Sequence, residues 1–225
     1  MRKAKNIFDG KSSRVLRGLL CNPGRQWTTR QISNEVDVSL GYTHAVLQTL
    51  FDLGYLGRNE NNLIELVDPI RLLKRWAGYN DYNHGNKFYD YYTFEKDIDD
   101  LFDKLKTVKD DYALTSLSGA YLVAPYVRPV VLEMYVEKES IFTEIARAIQ
   151  VKPIQREGNV RLVLPKDNGV FYKTQLRKDV IVVSDVQLFV DLLNNPGRGE
   201  EAAEKVLEVI HSNWSRSLIG GKSNV

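Results

Sequence analysis

Thr28 to Leu56 reads TTRQISNEVDVSLGYTHAVLQTLFDLGYL, and the spacing of its apolar residues decides the fold of the first third of the chain. Thr28-Thr29 has N-cap chemistry, because a side-chain oxygen there can accept from the unpaired N–H groups of a first helical turn. A helix from about Arg30 to Val36 follows, with Ile32 and Val36 inward at i, i+4. Asp37-Val38-Ser39 makes a short turn, and Ser39 is expected to cap the next helix. That helix carries Thr43, Val46, Leu47, Leu50 and Phe51 on one face and ends at Gly54, where a residue without Cβ suits a C-cap. Tyr55–Arg58 and Leu63–Leu66 then alternate like two strands about the polar turn Asn59-Glu60-Asn61-Asn62. Upstream, Ser12-Ser13 is expected to cap a helix through Val15, Leu16, Leu19 and Leu20, stopped by Asn22-Pro23-Gly24.

Helix, helix, three-residue turn, helix and hairpin, in that order from Thr28 to Leu66, resemble the winged helix-turn-helix family. The resemblance implies that the third helix enters the major groove of DNA with its N-terminal half toward the bases. Its outward positions are Leu40, Tyr42, His44, Ala45 and Gln48, and Ser39 and Thr43 join them as candidates at the helix start. Gln48 suits an adenine edge, and an apolar side chain suits a thymine methyl. Arg30, Gln31, Arg58 and Asn61 are phosphate candidates, while Lys3, Lys5, Lys11 and Arg14 add long-range attraction. The pattern departs from the family at Gly41, in the first turn of the third helix, and at Thr43, where an aliphatic residue is commoner. No Arg or Lys lies between Ser39 and Phe51, so the same helix also fits a module that binds protein.

Charge supports a polyanion partner for this part. Residues 1–76 hold 12 Lys+Arg against 7 Asp+Glu, and the rest hold 19 against 22, within a total net charge of +2. The chain has 225 residues, room for one large or two small domains. Its 43% hydrophobic and 27% charged residues exclude wholesale disorder. No apolar run approaches the ~20 residues of a membrane span. No apolar segment follows the basic Met1–Gly10, so secretion is not expected. With Cys21 as the single cysteine, a reducing, cytoplasmic setting is the expectation.

The organisation expected from these readings is mixed α+β: a winged helix over 1–77, a tyrosine-rich connector over 78–92, an α/β domain with about four strands over 93–214, and a flexible tail over 215–225. Asp68-Pro69 opens a helix from Ile70 to Ala77. The tyrosines of 78–92 read as packing material between domains, with Asn, Gly and Asp as turn residues. Beyond them the periodicity predicts helices over Phe94–Leu105, Tyr112–Ala124, Ile141–Ile149, Val186–Leu193 (capped by Ser184 or Asp185) and from Gly199 onward. Strands are expected over Val130–Val136, Asn159–Leu164, Gly169–Tyr172 and Val180–Val183.

Catalytic machinery is sparse. Gly197-Arg198-Gly199 lacks the Lys-Ser/Thr of a phosphate loop, and no Ser/His spacing supports a triad. No cofactor and no metal ligand set is expected. Asp185, Asp191, Glu133 and Glu137 keep open a metal-dependent nuclease or nucleotidyltransferase targeted by the winged helix. Gln187 and Asp191, four apart on one helix, suit a simple hydrogen bond.

Val183–Lys205, VSDVQLFVDLLNNPGRGEEAAEK, together with YALTSLSGAYLVAPYVRP from Tyr112 and YVEK from Tyr135, resembles the AbiEi-type antitoxin and transcriptional-regulator family. The resemblance covers about Thr28 to Ile210. It rests on Asp185, Gln187 and Leu188, with Phe189 in the aromatic place, and on Arg198, Gly199, Glu200, Glu201, Ala202 and Ala203. It implies a winged helix ahead of an α/β domain, a DNA-binding repressor of its own operon, and an antitoxin that opposes a toxin of the nucleotidyltransferase type. Repeated half-sites follow if the chain dimerises or assembles cooperatively on DNA. Arg198 is expected to order its loop by pairing with Glu201 or Asp191, or the same loop, with Glu200, serves as a contact surface for a partner or as a second DNA patch.

Overall fold

A computed structural model describes residues 7–109, 111–155 and 157–220, with side chains through Arg216. Lys3 and Lys5 lie outside the described residues. The chain packs as two compact units, one built from residues up to Asn80 together with those from Glu208 onward, the other from Asp81–Leu207.

In the first unit, helices α1 (Lys11–Leu20), α2 (Thr29–Glu35) and α3 (Leu40–Asp52) precede an antiparallel hairpin, β1 (Leu56–Arg58) and β2 (Ile64–Leu66), and helix α4 (Pro69–Tyr79). Their apolar faces close one core of Val15, Leu16, Leu19, Ile32, Val46, Leu50 and Leu72. Gly18 lets α1 approach α2, since a Cβ there would sit 2.5 Å from Val36 Cγ1. Trp27 pairs with Ile64 through two backbone bonds of 2.9 and 2.7 Å, adding a bridge to the hairpin.

Local chemistry explains the element ends. Thr28 and Gln31 form a capping box at α2. Asp68 accepts from the Arg71 N–H, and Pro69 occupies the first turn of α4. Gly54, with φ 75°, follows α3 in the left-handed conformation that closes its last turn. Two expected caps are corrected. Gly10, not Ser12 or Ser13, precedes α1, and Ser13 Oγ turns back to the Gly10 carbonyl at 2.7 Å. Ser39 occupies the N-cap position of α3, but its hydroxyl caps nothing.

The second unit is a mixed seven-stranded sheet with order β6-β3-β7-β5-β4-β9-β8. Its strands are β3 (Lys87–Tyr92), β4 (Tyr112–Leu114), β5 (Leu132–Val136), β6 (Lys152–Pro153), β7 (Val160–Leu164), β8 (Gln175–Arg177) and β9 (Val180–Val182). Parallel pairs β5–β7 and β4–β9 interrupt an otherwise antiparallel ladder. Helices α5 (Ile98–Leu105), α6 (Ser116–Val123), α7 (Phe142–Ala148) and α8 (Asp185–Leu192) surround it. Helix α9 (Gly199–Gly220) begins in this unit and ends in the first. All of β5 is buried, as expected for a strand covered on both faces. Among the described residues, no helix is long and apolar enough to cross a membrane.

The mixed α+β architecture is present, but seven strands in one sheet replace the expected four. The tyrosine-rich segment is a connector only to Asn86, for Lys87–Tyr92 pairs with β7 from Lys87↔Leu164 to Tyr91↔Val160. Aromatic residues favour a pleated, half-buried surface, and that preference prevails over the surrounding turn residues. Tyr112–Leu114 is a strand, not the first turn of a helix. Gly169–Tyr172 is not a strand: a short 3-10 turn covers Asn168–Phe171, held by Asp167 accepting from the Gly169 N–H. Phe94 does not begin α5: it is 85% exposed, and Asp97 caps the helix instead. Helix α9 runs to Gly220, into the segment 215–225 expected to be flexible, and residues 221–225 lie outside the described residues.

Candidate nucleic-acid interface

Helix α3 divides its side chains cleanly. Val46, Leu47 and Leu50 face the core. Thr43 joins them: it is fully buried, with its hydroxyl 3.4 Å from the Val38 carbonyl, which removes it from the candidate surface. Ser39, Gly41 and His44 are exposed, Leu40 is 44% exposed and Tyr42 39%. Tyr42 is anchored at its tip, where its hydroxyl lies 2.9 Å from Ser12 Oγ of α1. Gln48, at the edge of this face, donates to Asp52 Oδ1 at 2.9 Å. Such an exposed i, i+4 bond stabilises by only a few tenths of a kcal/mol, so a ligand can replace it.

Around α3 stand the candidate phosphate contacts. Arg30 is exposed in the first turn of α2. Gln31 is not a free side chain: its Oε1 accepts from the Thr28 N–H at 2.8 Å and from the Thr28 hydroxyl at 3.1 Å. Arg58, on the hairpin, donates to the Asn62 carbonyl at 2.8 Å and lies 5.1 Å from the Phe51 ring centre. Asn61 is exposed at the hairpin turn, where its N–H donates to Asn59 Oδ1. Lys11 is exposed on α1, and Arg14 approaches Asp37 at 4.0 Å. The first unit thus brings Arg30, Arg58, Asn61 and Lys11 to its surface and diverts Gln31 and Thr43 to its own fold.

The motif residues of the second unit behave differently. Asp191 is buried and accepts hydrogen bonds from Thr115 Oγ1 at 2.6 Å, Gln187 Nε2 at 2.7 Å and Tyr135 Oη at 3.2 Å. The expected Gln187–Asp191 bond is therefore formed, as part of a larger network. Asp185 accepts instead from Gln175 Nε2 at 2.6 Å, and Ser184 supplies the cap of α8. Arg198 pairs with Glu201 at 2.8 Å, both side chains half exposed, and Asp191 takes no part in that pair. This neighbour raises the Arg198 pKa and lowers that of Glu201. Glu200 is exposed beside them. Arg198 also lies 5.4 Å from the centre of the Tyr126 ring.

A charge ladder across three strands carries no signal in the linear sequence. Asp90, Arg161 and Glu133 are register partners on β3, β7 and β5, with Arg161 Nε donating to Asp90 at 2.8 Å and Nη1 lying 3.9 Å from Glu133. Burial raises the Glu133 pKa, against the opposing pull of Arg161. Tyr82 donates to Glu133 at 3.1 Å, and burial first, then that carboxylate, pushes its hydroxyl well up. Only strand register reveals this set; its members are 43 and 28 positions apart in the chain.

Among the described residues, no group of three His, Cys, Asp or Glu side chains is placed to hold a metal ion. Glu133 and Glu137 do not converge: Glu133 is buried in the ladder, whereas Glu137 is exposed and shares a hydrogen bond with Asp111, which raises its pKa. A groove of about 340 Å³ lined by Glu95, Ile98, Leu101, Arg128 and Val130 has its guanidinium already paired with Asp97 at 2.7 Å and Asp99 at 3.5 Å.

Comparison with known families adds identity to this geometry. Residues 65–211 match the family described as "Transcriptional regulator, AbiEi antitoxin, Type IV TA system". Searches of curated proteins and of solved structures returned no match. The matched span begins inside β2, so it holds α4, the whole second unit and the first half of α9, and leaves out α1 to α3, narrower than the span read from the motifs. The segments that carried the resemblance from Tyr112 onward all fall inside it. The chain belongs to the AbiEi family of antitoxins and transcriptional regulators of type IV toxin–antitoxin systems.

Proposed function

We propose that this chain is a sequence-specific DNA-binding repressor of its own operon and the antitoxin of a type IV pair, with the first unit as a winged helix. In this reading α2, the Val36–Ser39 turn and α3 form the helix-turn-helix, and β1–β2 form the wing. One observation carries it: α3 buries Thr43, Val46, Leu47 and Leu50 and leaves Ser39, Leu40, Tyr42, His44 and the edge residue Gln48 outward. A packed inner face and a hydrogen-bonding outer face are what a helix in the major groove requires.

The roles follow from chemistry. Gln48 exchanges Asp52 for an adenine edge, His44 offers a ring nitrogen to a base, and Leu40 meets a thymine methyl. Arg30, Arg58, Asn61, Lys11 and Arg14 hold phosphates and fix the register. The toxin of the pair is the implied functional partner, and repeated half-sites are expected if copies assemble on the DNA. No residue is assigned to catalysis, cofactor or metal. Exposed Leu40 and Tyr42, on a helix face without cations, favour as second reading a winged helix that docks protein.

The test is a gel shift with the chain's own upstream DNA, random DNA as competitor, at ~50 and ~200 mM salt. Specific retardation that weakens with salt is expected. No shift at either salt would refute the DNA reading and leave the protein-docking one.

A further inference from the structure

Helix α4 carries a charged face that the site above does not use. Arg71, Lys74 and Arg75 fall at i, i+3 and i+4, and all three are exposed. Its opposite face, Leu72, Leu73, Trp76 and Ala77, is buried in the first unit. Among the described residues, none of the three cations has a carboxylate partner. Asp68, the nearest acid in sequence, is occupied as the cap of α4. By contrast, Arg128, Arg161 and Arg198 of the second unit each meet a carboxylate.

Like charges three and four apart on a helix repel one another. Folding alone gains nothing from such a set, whereas a polyanion relieves it. The two guanidiniums are also held in place without being neutralised. Arg71 lies 4.9 Å from the centre of the buried Tyr55 ring, and Arg75 lies 5.7 Å from that of Tyr79. Tyr79 is itself stacked on Phe8 at 5.1 Å. Cation–π contact orders the side chain while its N–H groups stay available to a phosphate. Tyr55 lies between α3 and β1, and Arg58 of β1 rests on Phe51 of α3, so Arg71 continues the cations of the hairpin root. A lipid surface fits less well, because interfacial helices need an apolar face to insert, and that of α4 is spent on the core.

We propose that the solvent face of α4, through Arg71, Lys74 and Arg75, is a second phosphate-binding surface that grips the DNA backbone beside the α3 contact. This rests on the DNA reading above. It assigns α4 a contribution to affinity that is independent of sequence, since phosphates carry no base information.

The experiment is an anisotropy titration of two labelled duplexes, the chain's own upstream DNA and a random one, across roughly 50 to 200 mM salt. Each phosphate contact contributes about 0.9 to the slope of log affinity against log salt. The variant Arg71→Gln/Lys74→Gln/Arg75→Gln is expected to lose roughly 2 to 3 of that slope on both duplexes, which cuts the affinity ratio between the two salts by about 40-fold. Its preference for the upstream duplex should stay unchanged. Arg71→Lys/Arg75→Lys, which keeps the charge, should retain the slope. Lys74→Gln alone alters a side chain with no partner among the described residues and should lose about 0.9. Unaltered slopes in variants of a chain that binds DNA would overturn this inference and leave the DNA reading standing. Failure of the unaltered chain to bind either duplex would overturn both. Salt slopes unchanged on DNA, with binding to phosphatidylserine vesicles lost in the triple variant, would transfer the surface to a membrane.

Discussion

Helix α3 of the first unit and helix α8 of the second both carry polar side chains amid apolar ones, and dispose of them in opposite ways. On α3, Ser39 and His44 face solvent, and Gln48 makes one exchangeable bond at the edge of that face. On α8, Gln187 and Asp191 face inward and are closed into a network with Thr115 and Tyr135. A buried polar group left unmatched costs far more than an exposed one, so the α8 set works as a structural joint between helix and sheet. The α3 set has no such obligation, and its hydrogen-bonding capacity remains for a ligand. The more recognisable motif therefore supports the fold, whereas under the proposed function the less conspicuous helix is the one that reads DNA.

The largest effect should come from breaking the closed set. Asp191→Ala removes the acceptor shared by the buried donors of Thr115, Gln187 and Tyr135 and is expected to destabilise the second unit by about 3 kcal/mol or more. A urea midpoint near that of the parent would show that α8 does not depend on the network. Asp191→Asn, which keeps an acceptor oxygen, should fall between the two.

Next is the charge ladder, through its pH dependence. Burial raises the Glu133 pKa in the folded state, so its contribution to stability is greatest below the unfolded carboxylate range and is lost as pH rises through the raised value. Glu133→Gln removes that loss. Its melting temperature should gain on the parent between pH 4 and pH 7, roughly the span from the unfolded Glu value to neutrality. A constant difference across that span would mean that Glu133 does not titrate as its burial implies.

A smaller effect separates fold from recognition on α3 itself. A Cβ on Gly41 would meet open space, so nothing in the protein requires glycine there. Gly41→Ala should stabilise by up to about 1 kcal/mol, from helix propensity. If DNA approaches the backbone closely at this turn, the same variant binds upstream DNA more weakly. A variant both more stable and undiminished in binding would place the groove contact elsewhere on the helix.

The smallest effect is expected at Arg198→Ala. The Arg198–Glu201 pair is half exposed, and such pairs contribute little. The melting temperature should match the parent within error; a clear drop would assign the Gly197-Arg198-Gly199 loop a structural role like that of Asp191.

What was legible in the sequence follows the range of the interactions. Pro69, Gly54 and the Thr28 cap act within one helical turn and each marks its boundary correctly, and of the two caps open for α8, Ser184 or Asp185, it is Ser184 that caps. The short strands were hidden. Tyr112–Leu114 runs into α6 without Gly or Pro, and the turn between them is made by Ser116 at φ 51°. That conformation is held by tertiary contacts, including Asn195 Nδ2 donating to Ser116 Oγ at 2.7 Å, which local propensity cannot show. The two-residue β6 depends on its partner β3 for its existence as a strand. On the candidate surface, periodicity sorted Val46 from His44 correctly. It also places Thr43 inward, and burial confirms that face over the residue's position at the helix start. Gln31, at the start of the second helix, has the place of a phosphate contact, but its side chain closes the capping box with Thr28 instead.

The most direct measurement is the affinity of His44→Ala/Gln48→Ala for the upstream duplex, set beside a random duplex at one salt. With α3 as the reading helix, the paired change should weaken upstream binding by about 100-fold, at 1–3 kcal/mol per lost base contact, and leave random-duplex binding nearly unchanged. Equal binding of the upstream duplex by parent and variant would contradict the assignment of α3 as the helix that reads DNA.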